Sequence, residues 1–132
     1  MNYISTRNNQ KNFTFKEVFL KGLADDGGLF VPKLVKQYKK EELDNLKNLS
    51  YNDLAAEIIY PFIGDFMSKD DLISMISKSY SNFRSNDVVK ISNLGSLKVL
   101  ELFHGPTLAF KDIAMQLIGN FYQYHLGRDQ KK

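Results

Sequence analysis

The chain contains no cysteine and only two histidines among its 132 residues. The absence of thiols excludes disulfides and thiolate metal sites. His104 and His125 lie too far apart in sequence to form a local metal-binding motif. We therefore predict neither a metal site nor a disulfide framework.

The chain also lacks a long apolar run. No segment approaches the ~20 apolar residues that a membrane-spanning helix needs, and the polar stretch 1–10 lacks the apolar core of a signal peptide. The net charge of +3 is small, and the lysines are spread along the chain without forming a basic stripe. We expect a cytoplasmic protein with neither membrane nor nucleic acid as a partner.

With 43% hydrophobic residues, the chain can bury one hydrophobic core of ordinary size and a smaller second cluster. Up to residue 82 the pattern predicts mainly helices with small strand pieces. A capping box, Thr14 with Glu17, begins the first helix, and Gly22 is placed to end it. Further helices are predicted over 39–49, from Ser50 onward with a fraying end at Pro61, and from Ser68 onward; short strands are predicted at 2–7 and 29–31.

After Asn82 the pattern changes to strand, strand and long helix. Residues 88–91 and 97–103 read as strands, and the longest helix is predicted over 108–126, with Gly127 as its C-cap. Polar side chains form one stripe of this helix and apolar ones cover most of the rest, as in layered α/β proteins. A crossover helix normally leads to another parallel strand. None follows, so the sequence predicts the incomplete start of a larger α/β domain.

One segment, 101–112, has a pattern that suits covalent chemistry. A strand-like run ends in a Gly-Pro turn, and Lys111 is predicted in the first turn of the helix that follows. A lysine forms a Schiff base only when its amine is neutral, and burial favours the neutral form. Leu108, Ala109 and Phe110 supply apolar neighbours, so we expect them to bury the amine.

Ordinary structural roles are the alternative for the same segment. Lys111 could be a surface lysine, since mobile surface lysines are the norm. Thr107 reads first as the helix N-cap, and His104 as a packing or hydrogen-bonding residue. In the same way Gly27-Gly28 reads more readily as a turn than as a phosphate cradle, and Ser5-Thr6-Arg7 as an extended arm docked on the body. On physical grounds alone these residues do not specify a reaction.

Three ordered motifs resemble those of the threonine synthase family and together cover essentially the whole chain. The first is the opening, with Tyr3 and Ser5-Thr6-Arg7. The second is Asp26-Gly27-Gly28-Leu29-Phe30-Val31-Pro32. The third runs from Glu101 to Asp112 and extends to Met115 and Gln116.

The resemblance implies an α/β fold in which a small, mainly helical N-terminal domain, residues 1–82, precedes the start of a three-layer catalytic domain, residues 83–132. The family uses pyridoxal 5'-phosphate to convert O-phospho-L-homoserine and water to L-threonine and phosphate. By the match, Lys111 would hold the cofactor covalently and then act as general acid and base, and Phe110 would pack on the pyridine ring.

The resemblance also implies that this chain needs a partner in order to be active. The remainder of the catalytic domain would have to join these residues, so the 132 residues alone are expected to be inactive. Two alternatives stay open. One is a related phospholyase that acts on another phosphorylated amino compound, and the other is a non-catalytic remnant that serves as an interaction module.

Overall fold

The computed structural model describes residues 1–64 and 66–129. In chain order the elements are β1 (Tyr3–Ser5), α1 (Phe15–Lys21), β2 (Phe30–Pro32), α2 (Lys40–Leu46), α3 (Tyr51–Ile63), α4 (Lys69–Tyr80), β3 (Lys90–Leu94), β4 (Leu97–Glu101) and α5 (Asp112–Asp129). The predicted mixed α/β class is confirmed. No helix in the described part of the chain is long and apolar enough to cross a membrane.

The chain divides into two compact units. The first comprises Met1–Leu49 and Asp53–Leu72, and the second comprises Ser50–Asn52 and the residues from Ile73 onward. The predicted domain boundary after residue 82 stays a prediction, and residues 130–132 of the predicted second domain lie outside the described residues.

The first unit contains a small antiparallel sheet and the first helix. Strand β1 pairs with β2, with Tyr3 opposite Pro32 and Ser5 opposite Phe30. The predicted capping box is confirmed: the backbone N–H of Thr14 donates to the Glu17 carboxylate at 2.7 Å, and the N–H of Glu17 donates to the Thr14 hydroxyl at 3.3 Å. These two bonds satisfy amides that a helix start otherwise leaves unpaired.

Helix α3 continues past the proline that was predicted to mark its end. Pro61 lies inside the helix, which ends at Ile63. Proline removes one helical donor and disfavours the preceding turn, but here only two helical residues follow it.

The start of α4 agrees with prediction, since the Ser68 hydroxyl accepts the N–H of Asp71 at 3.1 Å.

The second unit contains an antiparallel hairpin, in which β3 pairs with β4 and Leu94 lies opposite Leu97. Strand β3 begins at Lys90, two residues later than predicted, because Val88 has a φ of 61° and cannot continue a strand. Five apolar side chains of the hairpin are exposed by 43% to 68%: Ile91, Leu94, Leu97, Val99 and Leu100.

Helix α5 differs from its prediction at both ends. It begins at Asp112 instead of residue 108, because Leu108 has a φ of 63° and the chain before Asp112 forms turns. It also passes through Gly127, so the predicted C-cap there is wrong. Glycine is tolerated inside helices at a cost of about 1 kcal/mol relative to alanine.

The polar stripe of α5 contacts α4. The Asn120 amide donates to the Ser79 hydroxyl at 2.8 Å, and the Lys78 ammonium donates to the Gln123 side chain at 3.4 Å. Ser79 is buried, so this is a satisfied internal polar contact. Part of the apolar surface of α5 is exposed instead, including Met115 and Leu126.

Candidate functional site

The segment between β4 and α5 consists of two consecutive turns that end at a lysine. The N–H of Leu108 donates to the carbonyl of Gly105 at 3.1 Å, and the N–H of Asp112 donates to the carbonyl of Ala109 at 3.0 Å. The carbonyl of Lys111 then accepts the N–H of Met115 at 2.9 Å. Lys111 is therefore the residue that precedes the first helical residue, and its predicted place in the first turn is wrong by one position.

Lys111 presents its amine to solvent. The residue is exposed, as are Leu108 (51%) and Phe110 (64%). The expectation that these neighbours bury the amine is therefore wrong for the described residues. Within the described residues the Lys111 ammonium makes no hydrogen bond and no ion pair. The segment thus offers an accessible primary amine that no other group of the described chain engages.

A buried carboxylate closes the same segment. Asp112 is 3% exposed, and its two oxygens accept the backbone N–H of Thr107 at 2.8 Å and the Thr107 hydroxyl at 2.9 Å. Thr107 is therefore a donor to Asp112 and not the N-cap of α5. Burial disfavours the charged form of Asp112, but the hydrogen bonds from Thr107 and Gln116 outweigh burial and hold the pKa of this carboxyl below its usual value.

Gly105 makes room for this carboxylate. A Cβ at Gly105 would overlap the Cβ of Asp112 and lie 2.7 Å from its Cγ, closer than real side chains approach. We call Gly105, Thr107 and Asp112 the Asp112 cluster. Sequence reasoning missed this cluster. The spacing of glycine, threonine and aspartate across a turn could have indicated it. At such a spacing the aspartate side chain can accept a hydrogen bond from a main-chain N–H earlier in the sequence.

His104 has structural contacts on both its ring and its backbone. Its Nε2 lies 2.7 Å from a Glu101 carboxylate oxygen, and its carbonyl accepts the N–H of Arg84 at 2.8 Å. Ser92 also donates to Glu101, and the hydrogen bonds from Ser92 and His104 lower the pKa of the Glu101 carboxyl. These contacts fasten the end of β4 to its surroundings and agree with a packing role for His104.

The glycine pair near the N-terminus forms a turn. The N–H of Gly27 donates to the carbonyl of Ala24 at 2.9 Å, and the N–H of Gly28 donates to the Asp26 carboxylate at 2.8 Å. Both amides are therefore engaged within the protein, as the turn interpretation requires. No group of three or more potential metal ligands occurs in the ranges 1–64 and 66–129.

The N-terminal arm is held to this turn by a second carboxylate. The Ser5 hydroxyl donates to Asp26 at 2.8 Å and accepts the N–H of Arg7 at 3.1 Å. A Cβ at Gly28 would overlap the Ser5 hydroxyl and lie 2.9 Å from the Asp26 carboxylate. We call Ser5, Asp26 and Gly28 the Asp26 cluster. Hydrogen bonds from Gly28 and Ser5 lower the pKa of the Asp26 carboxyl.

Comparison with known proteins gives one consistent result. A family model described as the threonine synthase N terminus matches residues 2–80. A threonine synthase of Schizosaccharomyces pombe is 42% identical over 130 residues, which are 97% of this chain and 25% of the relative. A human protein named threonine synthase-like 2 is 39% identical over 131 residues, 98% of this chain and 27% of the relative.

The solved structures agree with the sequence matches. A crystal structure of PLP-bound threonine synthase from Brucella melitensis superposes with a TM-score of 0.92 at 38% identity, covering 98% of this chain and 28% of that one. The chain thus spans about a quarter of the length of the proteins it matches.

Proposed function

Because the chain belongs to the family of threonine synthase N-terminal regions, we propose that it supplies the N-terminal part of a pyridoxal-phosphate-dependent enzyme. The reaction that we propose for the whole protein converts O-phospho-L-homoserine and water to L-threonine and phosphate, which makes it a carbon–oxygen lyase of threonine biosynthesis. Its substrate is a small molecule, and its place is the cytoplasm.

The observation that carries this proposal is the Lys111 amine. It is accessible, it has no partner within the described residues, and it stands at a fixed position between a closed turn and the longest helix. Attachment of an aldehyde cofactor requires a primary amine that the aldehyde can reach. The burial that favours the neutral form of this amine falls to further parts of the protein. Phe110, whose ring is exposed beside it, offers an apolar surface for an aromatic ring.

In this proposal Lys111 holds the cofactor covalently and Phe110 packs on its pyridine ring. The bound cofactor supplies an electron sink for the substrate. The chain's own contribution is to hold the amine in place and, once that amine is released by substrate, to move protons with it as general acid and base. The segment is exposed in the described residues, so exclusion of water falls to further parts of the protein.

We further propose that residues 1–82 form the N-terminal domain and that 83–132 begin a three-layer α/β cofactor domain. The partner implied is the remainder of that catalytic domain, because relatives are about four times as long. Alone, the 132 residues are expected to lack activity, because they span only about a quarter of the length of the proteins they match.

A second candidate is a phospholyase acting on a different phosphorylated amino compound. A human protein named threonine synthase-like 2 matches at 39% identity, nearly as high as the 42% of a protein named threonine synthase, so sequence identity does not separate the two candidates. The two candidates share Lys111 and the cofactor, and differ only in substrate.

The test uses the protein translated from the complete source reading frame. Wild type should show the visible absorbance of lysine-bound cofactor, release phosphate from O-phospho-L-homoserine, and yield a cofactor-labelled Lys111 peptide after borohydride reduction. Lys111→Ala should lose all three. Lys98→Ala, which removes an exposed lysine of β4, is the matched control and should keep them.

Each other outcome has a definite meaning. Labelled Lys111 with phosphate released only from other phosphorylated amines would favour the phospholyase. Absence of bound cofactor in wild type, or unchanged binding in Lys111→Ala, would contradict the proposal and leave a non-catalytic interaction module.

A further inference from the structure

We infer that the Asp112 cluster is a positioning device for Lys111, so that Asp112 and Thr107 govern cofactor attachment without touching the cofactor. This inference rests on the proposed function of Lys111. It concerns residues to which neither the motif nor the comparisons assign a role.

The geometry of the cluster fixes the backbone on the N-terminal side of the lysine. The Asp112 carboxylate reaches back across five residues to the N–H and hydroxyl of Thr107, and so closes a ring that contains Lys111. Both carboxylate oxygens are used, and a carboxylate bonded in this way is a stronger anchor than a neutral acceptor. The missing side chain at Gly105 is what lets Asp112 lie close enough to this backbone to form these bonds.

Helix α5 fixes the backbone on the other side. The Lys111 carbonyl accepts the N–H groups of Ala114 at 3.1 Å and Met115 at 2.9 Å. The Cα of Lys111 therefore lies between a closed ring and a helix start, while its side chain stays unengaged. A lysine held in this way has a set direction at Cα and freedom only along its side chain, which is what positioned attachment requires.

Backbone strain within the ring shows that the ring is held by its contacts. Leu108 adopts a φ of 63°, a conformation that costs a non-glycine residue about 1–3 kcal/mol and persists only where the surroundings impose it. Leu108 is half exposed, so its own packing does not impose it. The hydrogen bonds that span it, from Leu108 to Gly105 and from Thr107 to Asp112, do.

A purely stabilising role makes a different prediction. If the cluster only added stability, its loss would lower the melting temperature but leave aldehyde binding unchanged in protein that is still folded. If it positions Lys111, binding weakens at a temperature far below melting, where the variant and wild type are equally folded.

The experiment compares Thr107→Val with Thr107→Ser in the full-length protein freed of cofactor. Valine keeps the backbone N–H and removes only the hydroxyl donor, whereas serine keeps both donors to Asp112. Pyridoxal phosphate, and pyridoxal, which lacks the phosphate, are titrated at a temperature well below melting, with the absorbance of the lysine-bound form as the signal. Melting temperatures are measured without cofactor. Asp112→Asn, which keeps the size but loses one acceptor oxygen, is the second variant.

We expect Thr107→Val to weaken the binding of both aldehydes about tenfold, as loss of a charge-assisted hydrogen bond predicts. Thr107→Ser should bind within about twofold of wild type by the same argument. Asp112→Asn should weaken binding at least as much as Thr107→Val, because it loses one acceptor oxygen and the charge on the other. Because pyridoxal has no phosphate, equal weakening for both probes locates the effect at the lysine.

Equal aldehyde affinity in Thr107→Val and Thr107→Ser would overturn the positioning role, as would a lowered melting temperature with unchanged affinity. Failure of wild type to form a Lys111-bound species would instead refute the proposed function, and this inference with it. The comparison of wild type with Lys111→Ala shows whether the lysine-bound species forms at all, and so separates failure of the proposed function from failure of this inference.

Discussion

The Asp26 cluster and the Asp112 cluster solve the same packing problem with different consequences. In each, an aspartate accepts a backbone N–H and a hydroxyl, and a glycine leaves space for the carboxylate. Asp26 is exposed and Asp112 is buried. The Ser5–Asp26 bond joins residues 21 apart in sequence and holds an arm to a turn, whereas the Thr107–Asp112 bond spans five residues that include Lys111.

The same hydrogen-bonding arrangement can therefore serve either folding or the geometry of a site. Around Asp26 the cluster joins two segments, so its contribution is to the closure of the first unit. Around Asp112 the two bonded residues are already near in the chain. The cluster there adds little connectivity and instead determines the local conformation, including the unusual φ of Leu108.

The largest effect expected is that of Gly105→Ala. The added Cβ would overlap the Cβ of Asp112, which cannot rotate away, so the backbone must shift at a cost of about 3 kcal/mol. An added Cβ at Gly28 meets chiefly the Ser5 hydroxyl, which can rotate away with loss of its hydrogen bonds to Asp26 and Arg7, at about 2 kcal/mol. Urea unfolding followed by circular dichroism measures both.

Gly119→Ala is the control for these two glycine variants. This glycine lies within α5 with nothing within 4 Å of an added Cβ, so alanine should stabilise the helix by about 1 kcal/mol. Equal destabilisation by Gly105→Ala and Gly28→Ala would remove the distinction drawn between the two clusters.

Each unit also contains a buried tyrosine that donates a hydrogen bond to a backbone carbonyl, and these two bonds provide the next test. Tyr3 donates to the carbonyl of Phe62 in the first unit, and Tyr80 donates to the carbonyl of Ile113 in the second, both at 2.8 Å. Both tyrosines are 8% exposed. Tyr3→Phe should lower the free energy of unfolding by about 1 kcal/mol, because it removes the donor to the Phe62 carbonyl. Tyr80→Phe should lower it further, because Tyr80 also hydrogen bonds the Tyr51 side chain. A loss confined to one variant would show that the other hydrogen bond adds nothing measurable to the free energy of unfolding.

Relief of backbone strain at Leu108 should raise the free energy of unfolding by an amount similar to the loss expected for Tyr3→Phe. Asparagine adopts positive φ more readily than other non-glycine residues. Leu108→Asn should therefore be more stable than Leu108→Ala by about 1 kcal/mol, since both remove the same apolar contacts. Thermal unfolding of the two variants measures the difference. Equal stability would mean that the local backbone is not strained.

The smallest expected effect is on how the free energy of unfolding depends on pH under acid conditions. The pKa values of the Asp26 and Asp112 carboxyls lie below their usual value in the folded protein, so between the folded and unfolded values the unfolded state binds more protons. Their contribution is complete well above the unfolded value of about 3.9 and is lost as pH falls through the folded values. Asp26→Asn and Asp112→Asn should each flatten the dependence of unfolding free energy on pH below about pH 4. An unchanged slope in either variant would contradict the assigned cause.

Features that depend on near neighbours in sequence could be predicted. The capping box of α1, the Ser68 start of α4 and the turn at Gly27 all rest on contacts within four residues, and all three agree with the structure. The boundaries of β3 and α5 could not be predicted, because Val88 and Leu108 adopt positive φ values that their side chains disfavour.

The mixed α/β class, most of the helices, the family motifs and the candidate amine of Lys111 could all be read from the order of the amino acids. The folded chain was needed to show that this amine is exposed, that Asp112 is buried against Gly105, and that Asn120 bonds Ser79, 41 residues away. Local hydrogen bonds and hydrophobic periodicity depend on residues that are close in sequence. Burial and close approach depend instead on which distant side chains occupy the same space.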